Sequence, residues 1–183
     1  WRGDTIVQGP FKAWAVSPEK IQSTYHGRPG YFMPVEQTWQ RKNDLSSYPR
    51  LSTSNRLLKA IFNMGLDEMV NAVEPDTTLR TGKEWAGVWT RDVSYSIILS
   101  MAALQPEASM ISLMKKVNPE GQIIQDTGSG GAWPISTDRM VWALAAWEIY
   151  KVTGDRKWLE KVYPIVVRSI AKDRETVMSP RGL

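Results

Sequence analysis

Helical spacing of apolar residues is the feature that most constrains the fold of this chain. From about residue 54 onward, apolar side chains recur at intervals of three and four positions, which places them on one face of a helix. Prolines, glycines and Ser/Thr caps bound the stretches that show this spacing. The predicted helices span about residues 54–73, 91–105, 107–117, 137–152 and 155–172.

The same spacing predicts which side chains face the core. The predicted core positions are Leu58, Phe62, Gly65, Met69, Ala72, Val93, Ile97, Met101, Leu104, Ile111, Met114, Val117, Met140, Trp142, Leu144, Trp147, Trp158, Val162, Ile165 and Val166. The short link from Thr153 to Asp155, with Gly154 ending the fourth helix, predicts an antiparallel helix hairpin. Pro164 is expected to kink or split the fifth helix.

The first 50 residues lack this spacing. Gly-Pro, Ser-Pro and Tyr-Pro steps interrupt them about every ten residues, and only Phe11 to Val16 and Tyr31 to Val35 could form strands. We therefore predict an all-α fold of helix hairpins, preceded by an irregular or β-like N-terminal segment. The expected division is an N-terminal segment or linker over residues 1–50 and a helical domain over residues 51–183.

Composition excludes several classes of function. The chain has no cysteine and one histidine, His26, so disulfides, thiolate nucleophiles, His-based metal clusters and a Ser-His-Asp triad are not expected. The net charge of +4 is spread along the chain rather than gathered into a nucleic-acid-binding stripe. No apolar run approaches the roughly 20 residues of a membrane span. We predict no metal, no cofactor, no nucleic acid and no membrane.

Two similar stretches precede the second and fourth predicted helices. Each carries tryptophan and leads into Thr with an Asp/Arg pair, over residues 84–92 and 131–139, and nine tryptophans in 183 residues is unusually many. Thr and Asp are also what helix capping favours, which would make these residues structural. Carboxylate, guanidinium and aromatic groups together suit a sugar ring. The candidate sugar-binding residues are Trp85, Trp89, Arg91, Asp92, Trp133, Asp138 and Arg139.

Three segments carry a family resemblance. Residues 88–95 (VWTRDVSY), 132–142 (AWPISTDRMVW) and 150–158 (YKVTGDRKW) resemble the six-hairpin glycosidases, the (α/α)6-barrel enzymes related to glucoamylases, trehalases and debranching glucosidases. The resemblance implies that Arg91 and Asp92 grip hydroxyls of the terminal sugar, and that Trp89 and Trp133 line the pocket. It also implies a supporting or binding role for Asp138.

The expected activity follows from this resemblance. It implies a glycoside hydrolase that acts with inversion on the non-reducing end of an oligosaccharide, with no cofactor. The catalytic acid and base are expected beyond Leu183, because such enzymes usually draw them from later hairpins, and Asp126 and Asp138 are the candidates within the chain. We expect a bacterial catalytic domain that needs its remaining part as a partner, with a periplasmic or secreted location favoured over a cytoplasmic one.

Two other classes of function remain open from the sequence. A non-catalytic carbohydrate-binding helical toroid would use the same tryptophans without cleaving glycan. A five-helix structural or interaction module would use them for packing. The carboxylates would distinguish these classes, since hydrolysis with inversion requires an acid and a base on opposite sides of the bond.

Overall fold

The computed structural model describes residues 1–25, 36–126 and 138–177. The chain forms two compact units, Trp1–Asn71 and Ala72–Leu183. Over the described residues it contains a four-stranded antiparallel sheet together with five helices, with 50% of residues helical and 17% in strands. The predicted all-α class is therefore wrong, and the chain is mixed α/β.

The first unit is a β-meander covered by one helix. The strands are β1 (Thr5–Gln8), β2 (Phe11–Ser17), β3 (Lys20–Ser23) and β4 (Gln37–Gln40), each paired antiparallel with the next, and the helix is α1 (Arg56–Asn71). The possible strand at Phe11 to Val16 is confirmed. The other, Tyr31 to Val35, lies outside the described residues.

The other three strands were not predicted from the sequence, because they are too short to show alternation. Three of the four have only four residues, and they include Thr5–Gln8 and Gln37–Gln40, where the apolar residues are few. Pairing between neighbours, rather than local pattern, makes such segments strands. A sheet of this kind is visible only once its strands are brought together.

Helix α1 packs against one face of the sheet, and its buried residues match the prediction only in part, since Met69 is buried as expected. Leu57 and Ala60 are buried against Ala15 and Ile21, whereas Leu58 is exposed. Apolar residues occur on both sides of this helix, so spacing alone could not identify its buried face. The prediction for Leu58 was wrong by one position.

The second unit contains the other four helices, at the positions where spacing predicted them. Helix α2 comprises three consecutive stretches, Thr90–Ser96, a π-helical Ile97–Met101 and Ala102–Leu104. It is followed by α3 (Pro106–Lys115), α4 (Asp138–Thr153) and α5 (Arg156–Val177). Pro164 lies inside α5 without dividing it, so the predicted split is wrong.

The core of this unit is built around two tryptophans. Trp142 and Trp158 are buried, and their indole N–H groups donate to the carbonyls of Leu113 and Ala146, each at 2.9 Å. Trp147 was also predicted to be buried, but it is 48% exposed. Helix α4 is apolar on most of its circumference, so the small residues that permit close helix contact decide which face is inward.

The predicted hairpin of α4 and α5 is confirmed. Gly154 has a φ of +65°, and its N–H donates to the carbonyl of Tyr150 at 2.8 Å, which ends α4 in the left-handed region. The carboxylate of Asp155 then accepts from the N–H groups of Lys157 and Trp158 and caps α5. The chain thus reverses within two residues.

Two turns of the second unit repeat each other bond for bond. Residues 72–80 and 116–124 each close a small loop through three equivalent backbone hydrogen bonds, and each loop contains an isolated antiparallel bridge. The equivalent positions Thr77 and Gly121 both have positive φ, at +63° and +72°. The second turn follows helix α3, so it prepares the chain for the next hairpin.

A buried serine anchors each turn to a later helix. The N–H of Leu79 donates to the hydroxyl of Ser112 in α3 at 2.7 Å, and the N–H of Ile123 donates to the hydroxyl of Ser169 in α5 at 2.9 Å. Each hydroxyl in turn donates to the carbonyl four residues earlier in its own helix. The described part of this unit is therefore a tandem repeat of turn, helix and helix.

Candidate functional site

The N-termini of α2 and α4 meet at Asp126. The N–H of Asp126 donates to Oδ2 of Asp138, the first residue of α4, at 2.8 Å. Its own carboxylate accepts the N–H of Thr90, the first residue of α2. Both helices therefore begin at the same end of the unit.

Asp126 acts as the cap that α2 lacks in its own sequence. Trp89 occupies the N-cap position and offers no side-chain cap, so the carboxylate of Asp126 supplies the negative charge at the positive end of the helix. Its other oxygen forms an ion pair with Lys116, and the two side chains are only 20% and 14% exposed. Both carboxylate oxygens thus have partners, and a catalytic role for Asp126 stays a prediction.

Asp138 and Arg139 also contact the protein itself. Asp138 is 2% exposed, and Oδ2 accepts the Asp126 N–H. The guanidinium of Arg139 donates to the carbonyl of Ile123 at 3.1 Å and forms an ion pair with Asp173 in α5. These contacts give both residues a structural role, and their proposed contact with sugar stays a prediction.

The loop before α2 presents two tryptophans in a fixed arrangement. Gly82 and Trp85 exchange two backbone hydrogen bonds of 3.1 Å, and the hydroxyl of Thr81 accepts the N–H of Trp89 and donates to the carbonyl of Gly87. The two indole rings meet edge to face, with centroids 5.8 Å apart and planes at 77°. Trp85 remains 62% exposed and Trp89 is half-buried.

Arg91 and Asp92 follow these tryptophans in the first turn of α2. Both are exposed, and the backbone carbonyl of Asp92 accepts the Ser96 hydroxyl at 3.2 Å. Across residues 1–25, 36–126 and 138–177, neither side chain has a hydrogen-bonding or ion-pair partner. An exposed guanidinium and an exposed carboxylate therefore follow the tryptophan loop closely in the chain.

When α2 and α4 are aligned by their buried positions, the residues that correspond differ from those suggested by the two tryptophan-bearing stretches. Counting from their first residues, Thr90 and Asp138, the helices share buried positions, which are Val93 with Val141, Ile97 with Ala145 and Met101 with Ile149. In this register Arg91 corresponds to Arg139, but Asp92 corresponds to Met140. Asp138 takes the place of Thr90 and, like it, is bonded to Asp126.

Several candidate features lie outside the described residues. They include Trp133, the glycine-rich segment around Gly128, and His26. Within the part that is described, no group of His, Cys, Asp or Glu side chains could hold a metal ion. None of the described helices is both long and apolar enough to cross a membrane.

Sequence reasoning missed two residues that shape this region. Lys116 neutralises Asp126, and Thr81 positions Trp89, although neither belongs to the stretches that carry the resemblance. Their only sequence signal is their place in the turn repeat, since Lys116 begins the second turn and Thr81 directly follows the first. That repeat becomes recognisable when the backbone hydrogen bonds are known.

Comparison with known proteins adds no relative to this description. No protein-family model, curated protein or solved structure matches the chain. The function is therefore inferred from the residues and contacts described above.

Proposed function

We propose that this chain is part of a glycoside hydrolase and holds the non-reducing sugar of its substrate. The observation that carries the proposal is the exposed Trp85, packed edge to face on the half-buried Trp89 and followed closely in the chain by Arg91 and Asp92, whose exposed side chains have no partner among the described residues. An indole face packs against the C–H side of a pyranose, while carboxylate and guanidinium bind adjacent hydroxyls. The resemblance to six-hairpin glycosidases assigns Arg91, Asp92 and Trp89 the same roles.

The repeated architecture supports this resemblance. The second unit repeats a turn followed by two helices, and the first helices of the two repeats, α2 and α4, have their N-termini at the same end. The resemblance implies this arrangement around a sugar-binding mouth. Functional groups in such repeat proteins project from one end because equivalent loops gather there. Trp85 and Trp89 lie in one of these loops.

We assign substrate holding, rather than bond cleavage, to the described residues of this chain. Hydrolysis with inversion needs an acid and a base carboxylate roughly 6.5–9.5 Å apart with a water between them. Both oxygens of Asp126 already have protein partners, and Asp138 is buried. The acid and base are therefore expected on another segment of the complete catalytic domain.

Kinetics in the intact protein would test the assignment. Asp92→Asn and Trp85→Ala should each lower kcat/KM on oligosaccharides by about 10- to 100-fold, because each removes a contact worth roughly 1.4–3 kcal/mol. Trp1→Ala is the matched control, since Trp1 is equally exposed at 62% and lies in the first unit. Unchanged kcat/KM in both site variants would refute the sugar-holding role.

A non-catalytic carbohydrate-binding protein is the second candidate. This class is favoured because the two candidate catalytic carboxylates within the chain, Asp126 and Asp138, already make contacts with the protein. In that case oligosaccharides would quench the fluorescence of Trp85 with a measurable Kd, yet the intact protein would release no reducing sugar. Trp85→Ala would abolish the quenching, whereas Trp1→Ala would not.

A further inference from the structure

The first unit contains a second polar site, which is unrelated to the tryptophan loop. One side of this site is formed by a segment over residues 41–51 that is fixed by hydrogen bonds. The buried carboxylate of Asp67 in α1 accepts N–H groups of Lys42 and Asn43 and the indole N–H of Trp39. Burial alone would raise the pKa of Asp67, but hydrogen bonds from Asn43, Lys42 and Trp39 lower it below its usual value. An ionised Asp67 therefore fastens the start of the segment.

The rest of the segment is fixed by its own contacts. Asp44 accepts the N–H and the hydroxyl of Ser46 at 3.0 and 2.9 Å, and Leu45 is buried while its carbonyl accepts the N–H of Tyr48 at 3.1 Å. A loop with these internal bonds keeps one shape. The backbone of the segment and the Asp44 carboxylate are thus positioned by contacts within the protein.

This segment, the turn between β2 and β3, and helix α1 enclose a cavity of about 360 Å³. The volume lies within the range of pockets that bind small molecules. Three cations line it, Arg41 and Arg50 from the segment and Lys59 from α1, together with the carboxylates of Glu19 and Asp44. Leu45 and Leu66 supply apolar surface.

The cations and the carboxylates differ in their partners. Both carboxylates accept serine hydroxyls, Glu19 from Ser17 at 3.1 Å and Asp44 from Ser46. Over the described ranges, in contrast, no hydrogen bond or ion pair within 4.0 Å is made by the side chains of Arg50 and Lys59. Two positively charged donors thus face one preformed cavity with their hydrogen-bonding capacity unused, an arrangement that suits an anion.

We propose that this cavity binds a small polyhydroxylated anion, such as a sugar phosphate or a sugar acid. Arg50 and Lys59 bind its charged group, which is a phosphate, sulfate or carboxylate. Hydroxyls of the ligand donate to Glu19 and Asp44, whose oxygens have lone pairs left beyond those used by serine. The site lies within the first unit and does not depend on the proposed glycosidase function.

Calorimetric titration of the whole chain would test the site with four probes, which are glucose 6-phosphate, glucuronate, inorganic phosphate and glucose. The two sugar anions should bind saturably, inorganic phosphate more weakly, and glucose not at all. A comparison of glucose 6-phosphate with glucuronate distinguishes a phosphate from a carboxylate ligand. Glucose binding as tight as that of its anionic relatives would overturn the proposal, as would the absence of saturable binding below about 10 mM.

Variants then locate the binding. Arg50→Gln and Lys59→Met should each weaken the Kd of the better sugar anion by about tenfold or more, because each removes a charged donor. Lys42→Met is the matched control, since Lys42 is an exposed cation of the same segment outside the cavity lining. Equal weakening by Lys42→Met would show a general charge effect and refute the site.

The charge-conserving variants Arg50→Lys and Lys59→Arg guard against loss of folding. They should keep saturable binding within about tenfold of the original Kd, because a cation remains in the cavity. Complete loss of binding in these variants, with the far-UV circular dichroism unchanged, would also refute the assignment of the charged group.

Discussion

The same substitution at two buried serines in helix α3 should have different effects on the stability of the protein. Ser112 and Ser109 are both completely buried, but only the Ser112 hydroxyl has partners, since it accepts the Leu79 N–H and donates to the Ala108 carbonyl. Among the described residues, the hydroxyl of Ser109 has no hydrogen-bonding partner. Ser112→Ala should therefore destabilise the protein, whereas Ser109→Ala should stabilise it or leave it unchanged.

The magnitudes follow from the groups left unpaired. Ser112→Ala leaves the N–H of Leu79, a residue that is 1% exposed, without an acceptor, which costs about 1–3 kcal/mol. Ser109→Ala removes an unpaired buried hydroxyl and recovers a similar amount. The gain in helix propensity of roughly 0.5 kcal/mol is the same for both and cancels in the comparison. The two variants should differ by about 3 kcal/mol.

Urea denaturation followed by circular dichroism would measure the difference, with hydrogen exchange of the Leu79 amide as the local readout. In a chain of this size, about 3 kcal/mol corresponds to a difference in Tm of roughly 6–12 °C. The Leu79 amide should exchange faster in Ser112→Ala and at the original rate in Ser109→Ala. Equal destabilisation by both substitutions would refute the reasoning from hydrogen-bond partners.

The other predictions concern single contacts. Asp126→Asn should destabilise the protein by about 2–3 kcal/mol in urea denaturation, because it removes the charge that caps α2 at Thr90 and one member of a largely buried ion pair. Hydrogen bonds from Lys115 and from Thr78 of the same turn lower the pKa of Asp76 to about 2. Its contribution to stability is therefore present above about pH 4 and is lost as the pH falls toward 2, and Asp76→Asn should reduce that acid dependence in thermal melts at different pH values. Thr77→Gly should raise the free energy of unfolding by up to about 1 kcal/mol in urea, because Thr77 has a φ of +63°.

Each of these predictions has a result that would contradict it. Wild-type stability in Asp126→Asn would mean that the joint between the two helix N-termini contributes nothing. For Asp76, an unchanged acid limb after substitution would assign the acid dependence to other carboxylates. A loss of stability in Thr77→Gly would mean that the flexibility of glycine in the unfolded chain outweighs the strain of the left-handed residue.

Local pattern was sufficient to locate the helices but not to orient them. Spacing and end signals placed all five helices within a few residues, since helix ends depend on nearby caps, prolines and glycines such as Pro106 and Gly154. It failed for several predicted core residues that are exposed on helices with apolar residues on more than one side, among them Leu58, Ile111, Met140, Leu144 and Trp147. Which side turns inward depends on the neighbour that packs against it.

The candidate site likewise has one part that the sequence could predict and another that it could not. Residue type and position were sufficient to select Trp85, Trp89, Arg91 and Asp92, because aromatic and charged residues that lie close together in the chain can be recognised in the sequence. The partners of Asp126 could not be selected, since Thr90 and Lys116 lie 36 and 10 residues before it and are brought to it by the turn repeat and the helices.

The sequence alone thus determined where the chain is helical and where a cluster of tryptophan, arginine and aspartate lies. The tertiary structure decided that the first unit is a sheet, because short strands become strands by pairing with one another. It also decided that the carboxylates of Asp126 and Asp138 join two helices, whereas the guanidinium of Arg91 and the carboxylate of Asp92 have no partner among the described residues. Hydrogen-bond partners are set by distance in space, which residue order does not specify.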